Sequence, residues 1–247
     1  MESAFILGGS AGASSADGLD WANLSAGNAL DAWDFLTDQA RFNSVAVGPL
    51  ANTPGWSFTR ASTGYAQTSA GALTAFASGE LRRTDKGVLI EGARTNLCLQ
   101  SQTFDNASWT KTNATISADA TTAPDGTTTA DKLISGAAVA NCRVQQAFTL
   151  SGTTVYRVSI FAKAAEWSWL QFRVAEDSAH SVWFNLGAGT VGTTEASWTN
   201  PTITALANGW YRCTASYTTV GTSYNFRFIA TNADTTTSTG DGTSGLY

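Results

Sequence analysis

From Trp56 to its end the sequence alternates short runs rich in Thr, Val, Ile and aromatic residues with clusters of Gly, Asn, Asp and Pro. No stretch there keeps the three-to-four-residue apolar spacing of a helix over a comparable length. Chains written this way fold as many short strands joined by tight turns. The clearest runs are Trp56 to Arg60, Gly87 to Glu91, Ala130 to Ile134, Arg143 to Phe148 and Val155 to Lys163, followed by Trp169 to Val174, Ser181 to Leu186, Trp210 to Thr219 and Tyr224 to Ala230. Turn chemistry separates them at Pro124-Asp125-Gly126, Ser151-Gly152 and Asn208-Gly209. The reading is an all-β protein, a jelly-roll β-sandwich preceded by an irregular N-terminal attachment region.

Alternation within the runs assigns faces, because successive strand side chains point to opposite sides. In Trp169-Leu170-Gln171-Phe172-Arg173-Val174 the set Leu170, Phe172 and Val174 faces a core, which sends Trp169, Gln171 and Arg173 outward. In Ser181-Val182-Trp183-Phe184-Asn185-Leu186 the same logic buries Val182, Phe184 and Leu186 and exposes Trp183 and Asn185. Trp210 and Arg212 point outward on their own strand and extend the platform, while Cys213 shares an inner face with Tyr211, Ala215 and Tyr217. Indole rings beside amide and guanidinium donors suit a sugar, whose C–H face stacks on an aromatic while its hydroxyls bond to fixed polar groups. The same residue types are favoured where subunits pack, so the predicted face contacts a glycan or a neighbouring subunit. Trp56, Trp109 and Trp198 lie near turns and are read as core at the sandwich edge.

Composition removes several classes of partner. Net charge is −5, and only 14 residues are Lys or Arg, which opposes nucleic acid as a partner, since phosphate binding needs clustered cations. No apolar run is long enough to insert in a membrane, and the first residues lack the basic flank of a signal peptide. Cys98, Cys142 and Cys213 show no metal-binding spacing and read as free thiols. His180 is the single histidine and has no nucleophile motif beside it, so it reads as a loop residue. Glu166, Glu176 and Asp177 lie at opposite ends of a strand, without the spacing of a glycosidase acid pair, and no enzyme is expected. No cofactor is expected either, although Asp125, Asp131, Asp234 and Asp241, in Gly- and Thr-rich loops, leave room for a structural calcium ion.

Residues 8 to 18 are small and flexible, as in a tether or a frayed terminus. Between Leu19 and Val47 the pattern fits a helix and a strand equally, with Trp33 on either template. The chain therefore divides into an attachment region, 1–55, a short β-rich connector, 56–95, and the sandwich, 96–247.

Three segments carry a family likeness: Phe58-Thr59-Arg60-Ala61-Ser62-Thr63-Gly64-Tyr65, Gly87-Val88-Leu89-Ile90-Glu91-Gly92-Ala93-Arg94-Thr95-Asn96-Leu97, and Phe104-Asp105-Asn106-Ala107-Ser108-Trp109-Thr110-Lys111. This run resembles tailed-bacteriophage virion proteins with a head-spike or fibre type domain, over residues 56 to 135. The remainder is similar to the jelly rolls of xylanase-associated carbohydrate-binding modules. The resemblance implies a virion structural protein, a head spike, fibre or decoration protein of capsid or tail. Its sandwich would be turned toward host-surface polysaccharide or toward other virion proteins. Virion symmetry implies a homo-oligomer, a trimer by preference. In the matching run Glu91, Arg94 and Asn96 resemble a turn-and-corner element with no binding role. Members of the family continue past the Gly245-Leu246-Tyr247 region into a last strand, so either that strand lies outside this sequence or a neighbouring subunit completes the sheet edge. The competing class is a carbohydrate-binding module of a secreted glycoside-active enzyme.

Overall fold

The structure, a computed structural model, describes residues 59–89, 95–175, 181–234 and 237–247, together with the backbone of three strands before them. These are β1 (Ala32–Asp34), β2 (Gln39–Phe42) and β3 (Val45–Gly48), an antiparallel meander in the stretch whose pattern was ambiguous. The described chain is all-β, its one helical element the 3₁₀ turn Ala207–Gly209. It divides into two compact units, 1–93 and 94–247.

In the first unit β4 (Gly64–Gln67) and β5 (Leu73–Phe76) form a hairpin, and β6 (Arg83–Thr84) and β7 (Gly87–Val88) a second, smaller one. Arg60 clamps the first hairpin: its Nε donates to Ser62 O at 2.7 Å and its Nη2 to Phe76 O at 3.0 Å. Of the two strands expected here, Gly87 to Glu91 is seen as the two-residue strand Gly87–Val88, with Ile90 and Glu91 outside the described residues, and Thr59 and Arg60 are not in a strand. Trp56 to Phe58 lie outside the described residues.

The second unit holds β8 (Thr110–Thr112), β9 (Ala114–Thr121), β10 (Ala130–Ser135), β11 (Val139–Ala140), β12 (Cys142–Thr149), β13 (Val155–Lys163) and β14 (Trp169–Val174). After them come β15 (Ser181–Asn185), β16 (Thr190–Thr194), β17 (Trp198–Ala205), β18 (Trp210–Thr218), β19 (Ser223–Thr231), β20 (Ser238–Thr239) and β21 (Gly245–Leu246). A six-stranded antiparallel sheet runs in the order β16-β15-β14-β19-β12-β8, and a three-stranded one in the order β13-β18-β17. The apolar faces of these two sheets share one core, as in a β-sandwich. Phe172 of β14 lies at its centre, with ring centroids 4.8 Å from Phe184, 5.2 Å from Phe228 and 5.9 Å from Trp198, the last on the opposing sheet. Trp109 and Trp198 are core residues, as expected from their place near turns. Among the described residues, every residue of this core lies between 98 and 246.

The expected turns form for the expected reasons. Asn208 and Gly209 both take positive φ, 60° and 77°, the conformation that Asn and Gly tolerate best. Gly126, at φ 89°, donates its N–H to Ala123 O at 3.0 Å. Asn96 accepts a bond from Cys98 N at 3.0 Å and donates to Ser101 Oγ at 3.1 Å, a local corner, while Glu91 and Arg94 lie outside the described residues.

Candidate binding face of the six-stranded sheet

The face of this sheet turned away from the core is built by parity and register. Leu170, Phe172, Val174, Val182, Phe184 and Leu186 all enter the core, as alternation predicts. Their strand neighbours Trp169, Gln171, Arg173, Trp183 and Asn185 therefore share the other face, with Trp169 opposite Asn185 and Gln171 opposite Trp183. On β14's other side, Gln171 is opposite Ile229 and Arg173 is opposite Arg227. Beyond β19, Gln145 stands opposite Arg227 and Arg143 opposite Ile229.

Parity was right and exposure was not. Gln171 is fully buried and Trp183 is 5% exposed, although both were expected to point to solvent. Ile229, beside Gln171 in the same row, is also fully buried, so the middle of this face is closed to solvent as a patch rather than residue by residue. Trp183 also stands where Gly192 and Thr193 bulge out of register with β15, and Gln171 lies in one row between Trp183 and Ile229. Gln171 Nε2 donates to Ser181 Oγ at 2.8 Å, and its Oε1 has no hydrogen-bond partner among the described residues.

Trp210 and Arg212 do not extend this platform, because β18 belongs to the other sheet. Trp210 is 3% exposed and its Nε1 donates to Thr122 O at 3.0 Å, so the segment after β9 covers it. Arg212 is exposed, lies over the Phe161 ring at 5.9 Å and donates from Nε to Ser159 Oγ at 3.2 Å.

Trp169, Arg173 and Asn185 are half-buried. Asn185 is occupied locally: its Oδ1 accepts bonds from Gly187 N and Ala188 N, both at 3.0 Å, and closes the turn into β16. Trp169 lies against Gly192, where an added Cβ would come within 2.6 Å of the ring's Cζ3.

Three residues that sequence reasoning missed complete the face, Arg143, Gln145 and Arg227, all half-buried. Gln145 Oε1 accepts from Arg227 Nε at 2.9 Å and from Arg143 Nε at 3.3 Å. The Arg143 guanidinium is held below its usual pKa, first by partial burial and then by the positive charges of Arg227 and Arg173. Arg143 Nη1 also donates to Asn141 Oδ1 at 3.4 Å. Arg157, on the outer face of the three-stranded sheet, is likewise taken up by its own sheet. Its Nη1 donates to Asn200 O at 2.8 Å and Ser216 Oγ at 3.1 Å, and its Nη2 bonds to the Thr214 hydroxyl, so the sheet itself takes up its donors.

The acidic loop residues weighed for calcium serve separate loops. Asp125 accepts from Thr127 N, Asp131 from Phe104 N, Asp234 from Thr193 N and Asp241 from Thr243 N and Ser244 N. Among the described residues no group of three or more His, Cys, Asp or Glu gathers as a metal site. Glu166 takes Lys132 Nζ at 2.8 Å and the N–H of Gly245 at 3.2 Å, while Glu176, Asp177 and His180 lie outside the described residues. No protein-family model matches the chain, and no curated protein matches it in sequence.

Proposed function

We propose that this chain is a non-catalytic virion structural protein, a head spike, fibre or decoration protein. Its N-terminal region anchors it, and its jelly-roll sandwich is presented to host-surface glycans or neighbouring subunits. The observation that carries the reading is the outer face of the six-stranded sheet. There Trp169, Arg173, Arg227 and Arg143 occupy fixed register positions on adjacent strands. A π face and planar donors held by a hydrogen-bonded ladder lose little entropy on meeting a partner, which is what a contact surface needs. The likeness of residues 56 to 135 to phage virion proteins supplies the setting, and it makes a symmetric oligomer, a trimer, the expected working form.

A second reading, a carbohydrate-binding module acting alone, is favoured by one fact: among the described residues, the sandwich core draws on positions 98 to 246. Light scattering separates the two. The full chain is compared with a chain starting at residue 96. An oligomer that becomes a monomer on truncation supports the assembled virion protein; two monomers support the detached module and reject the attachment role.

A further inference from the structure

At the end of the sheet away from its closed middle, Trp169 reaches across a strand. It stands on β14, Asn185 faces it on β15, and its ring lies against Gly192 of β16. Because β15 runs between β14 and β16, the indole lies over β15 rather than standing clear of the sheet. The place that a Cβ on Gly192 would take is 2.6 Å from Cζ3 of the ring and 3.0 Å from Asp234 Oδ2. A carboxylate therefore borders the ring. Asp234 arrives from the segment after β19 and is exposed, and its Oδ2 is held by the N–H and the hydroxyl of Thr193, each at 3.0 Å. Its other oxygen, Oδ1, has no hydrogen-bond partner among the described residues, and neither has Trp169 Nε1 or Asn185 Nδ2. One fixed ring, one oriented acceptor and two donors stand together with their outward bonds unmade.

We propose that Trp169, Asp234 and Asn185 form a binding site for a neutral sugar unit that carries two neighbouring hydroxyls. The C–H face of the sugar lies on the indole, its hydroxyls donate to Asp234 Oδ1, and the N–H groups of Asn185 and Trp169 donate to its oxygens. The inference rests on the glycan-contacting reading above and names its ligand class. The one charge at the site is negative, since β15, β16 and residues 231–234 hold no Lys or Arg, so an acidic sugar is repelled. A quaternary ammonium ligand fits less well, because the two N–H donors beside the ring oppose a cation.

The test uses the full chain on a printed panel of neutral polysaccharides of several linkages and hexuronate polymers, with phosphocholine alongside. Binding to at least one neutral member is expected, little changed by salt and reduced about tenfold in Trp169→Ala and in Asp234→Asn, the scale of a lost stacking surface or charge-assisted bond. Trp169→Phe, which keeps a ring, falls between. Asp234→Asn should also raise hexuronate binding relative to neutral binding, because the repelling charge is gone. A merely structural role for Asp234 predicts a lower thermal melt with that ratio unchanged, and this result overturns the site. Neutral sugars bound with no response to Trp169→Ala or Asp234→Asn overturn the site and leave glycan contact standing. Hexuronates bound by the parent as well as neutral sugars overturn the neutral ligand and likewise leave glycan contact standing. No sugar bound at all overturns both. Phosphocholine bound more tightly than any sugar, and lost in Asp234→Asn, also overturns the proposal.

Discussion

Gly192 and Trp169 meet across the sheet face so closely that a Cβ on the glycine would lie 2.6 Å from Cζ3 of the indole. The ring is thus seated against bare backbone, and nothing larger than glycine leaves it in place. Gly192→Ala should push Trp169 toward solvent, with a red shift and broadening of the tryptophan emission. Overpacking of this kind costs about 1 to 3 kcal/mol. The same variant should weaken any ligand that stacks on Trp169. An emission spectrum and urea midpoint identical to the parent's would show that the ring relocates freely and is no fixed platform.

Phe172 anchors the core through three ring contacts on two sheets. Removing the ring deletes buried apolar surface and leaves a hole that rigid strands cannot close. Phe172→Ala should cost about 3 to 5 kcal/mol in urea unfolding. Phe172→Leu, closer in volume, should cost less. A loss below about 1 kcal/mol for the alanine would mean that the two sheets collapse onto the cavity.

Acid should weaken the fold at identifiable carboxylates. Asp241 accepts bonds from Ser244 Oγ at 2.6 Å, from Ser244 N at 2.7 Å and from Thr243 N at 2.8 Å, which hold its pKa well below the ordinary 3.8. Glu166, bonded to Lys132, and Asp85, bonded to the Ser69 hydroxyl and N–H, are shifted the same way. A depressed folded pKa contributes stability that is present above the unfolded value and lost as pH falls through the folded one. Melting temperature should therefore hold to about pH 5 and drop below about pH 4. Asp241→Asn should melt lower than the parent at pH 7 and lose less on acidification. Parallel pH curves for the two proteins would remove Asp241 from the account.

Strand alternation was legible in the sequence wherever large apolar residues kept strict period two, as in β13, β14 and β18. Strand β17 was not, because Pro201 and a register shift between Thr199 and Thr202 interrupt it. Strand β9 was not, because Ala, Ser and Thr over most of its length give no apolar contrast to read. For the candidate face, parity told which side each residue takes but not how crowded that side is. Trp183 and Gln171 are buried together with Ile229 in one row across three strands, a fact of tertiary structure rather than of local pattern. Strand order also hid Arg143 and Arg227. Both alternate outward within their own runs, yet nothing local to residues 143 or 227 says that β12 and β19 lie beside β14.

The three cysteines offer a reading of burial that needs no ligand. All are free thiols, and burial alone raises their pKa, to about 11 for Cys98 and about 12 for Cys142 and Cys213. The thiolate is the reactive form, so both access and charge state protect them at neutral pH. Cys142 and Cys213 belong to the shared core, and Cys98, half-buried, packs against its rim. A thiol reagent at pH 8 should therefore reach Cys98 first, more slowly than it reaches a free peptide thiol. Cys142 and Cys213 should react only at the rate of unfolding and appear together in denaturant. Peptide mapping after timed labelling identifies each site. Early modification of Cys213 in the native protein would mean that the two sheets part locally around it, and the closed core described for residues 98 to 246 would have to be revised.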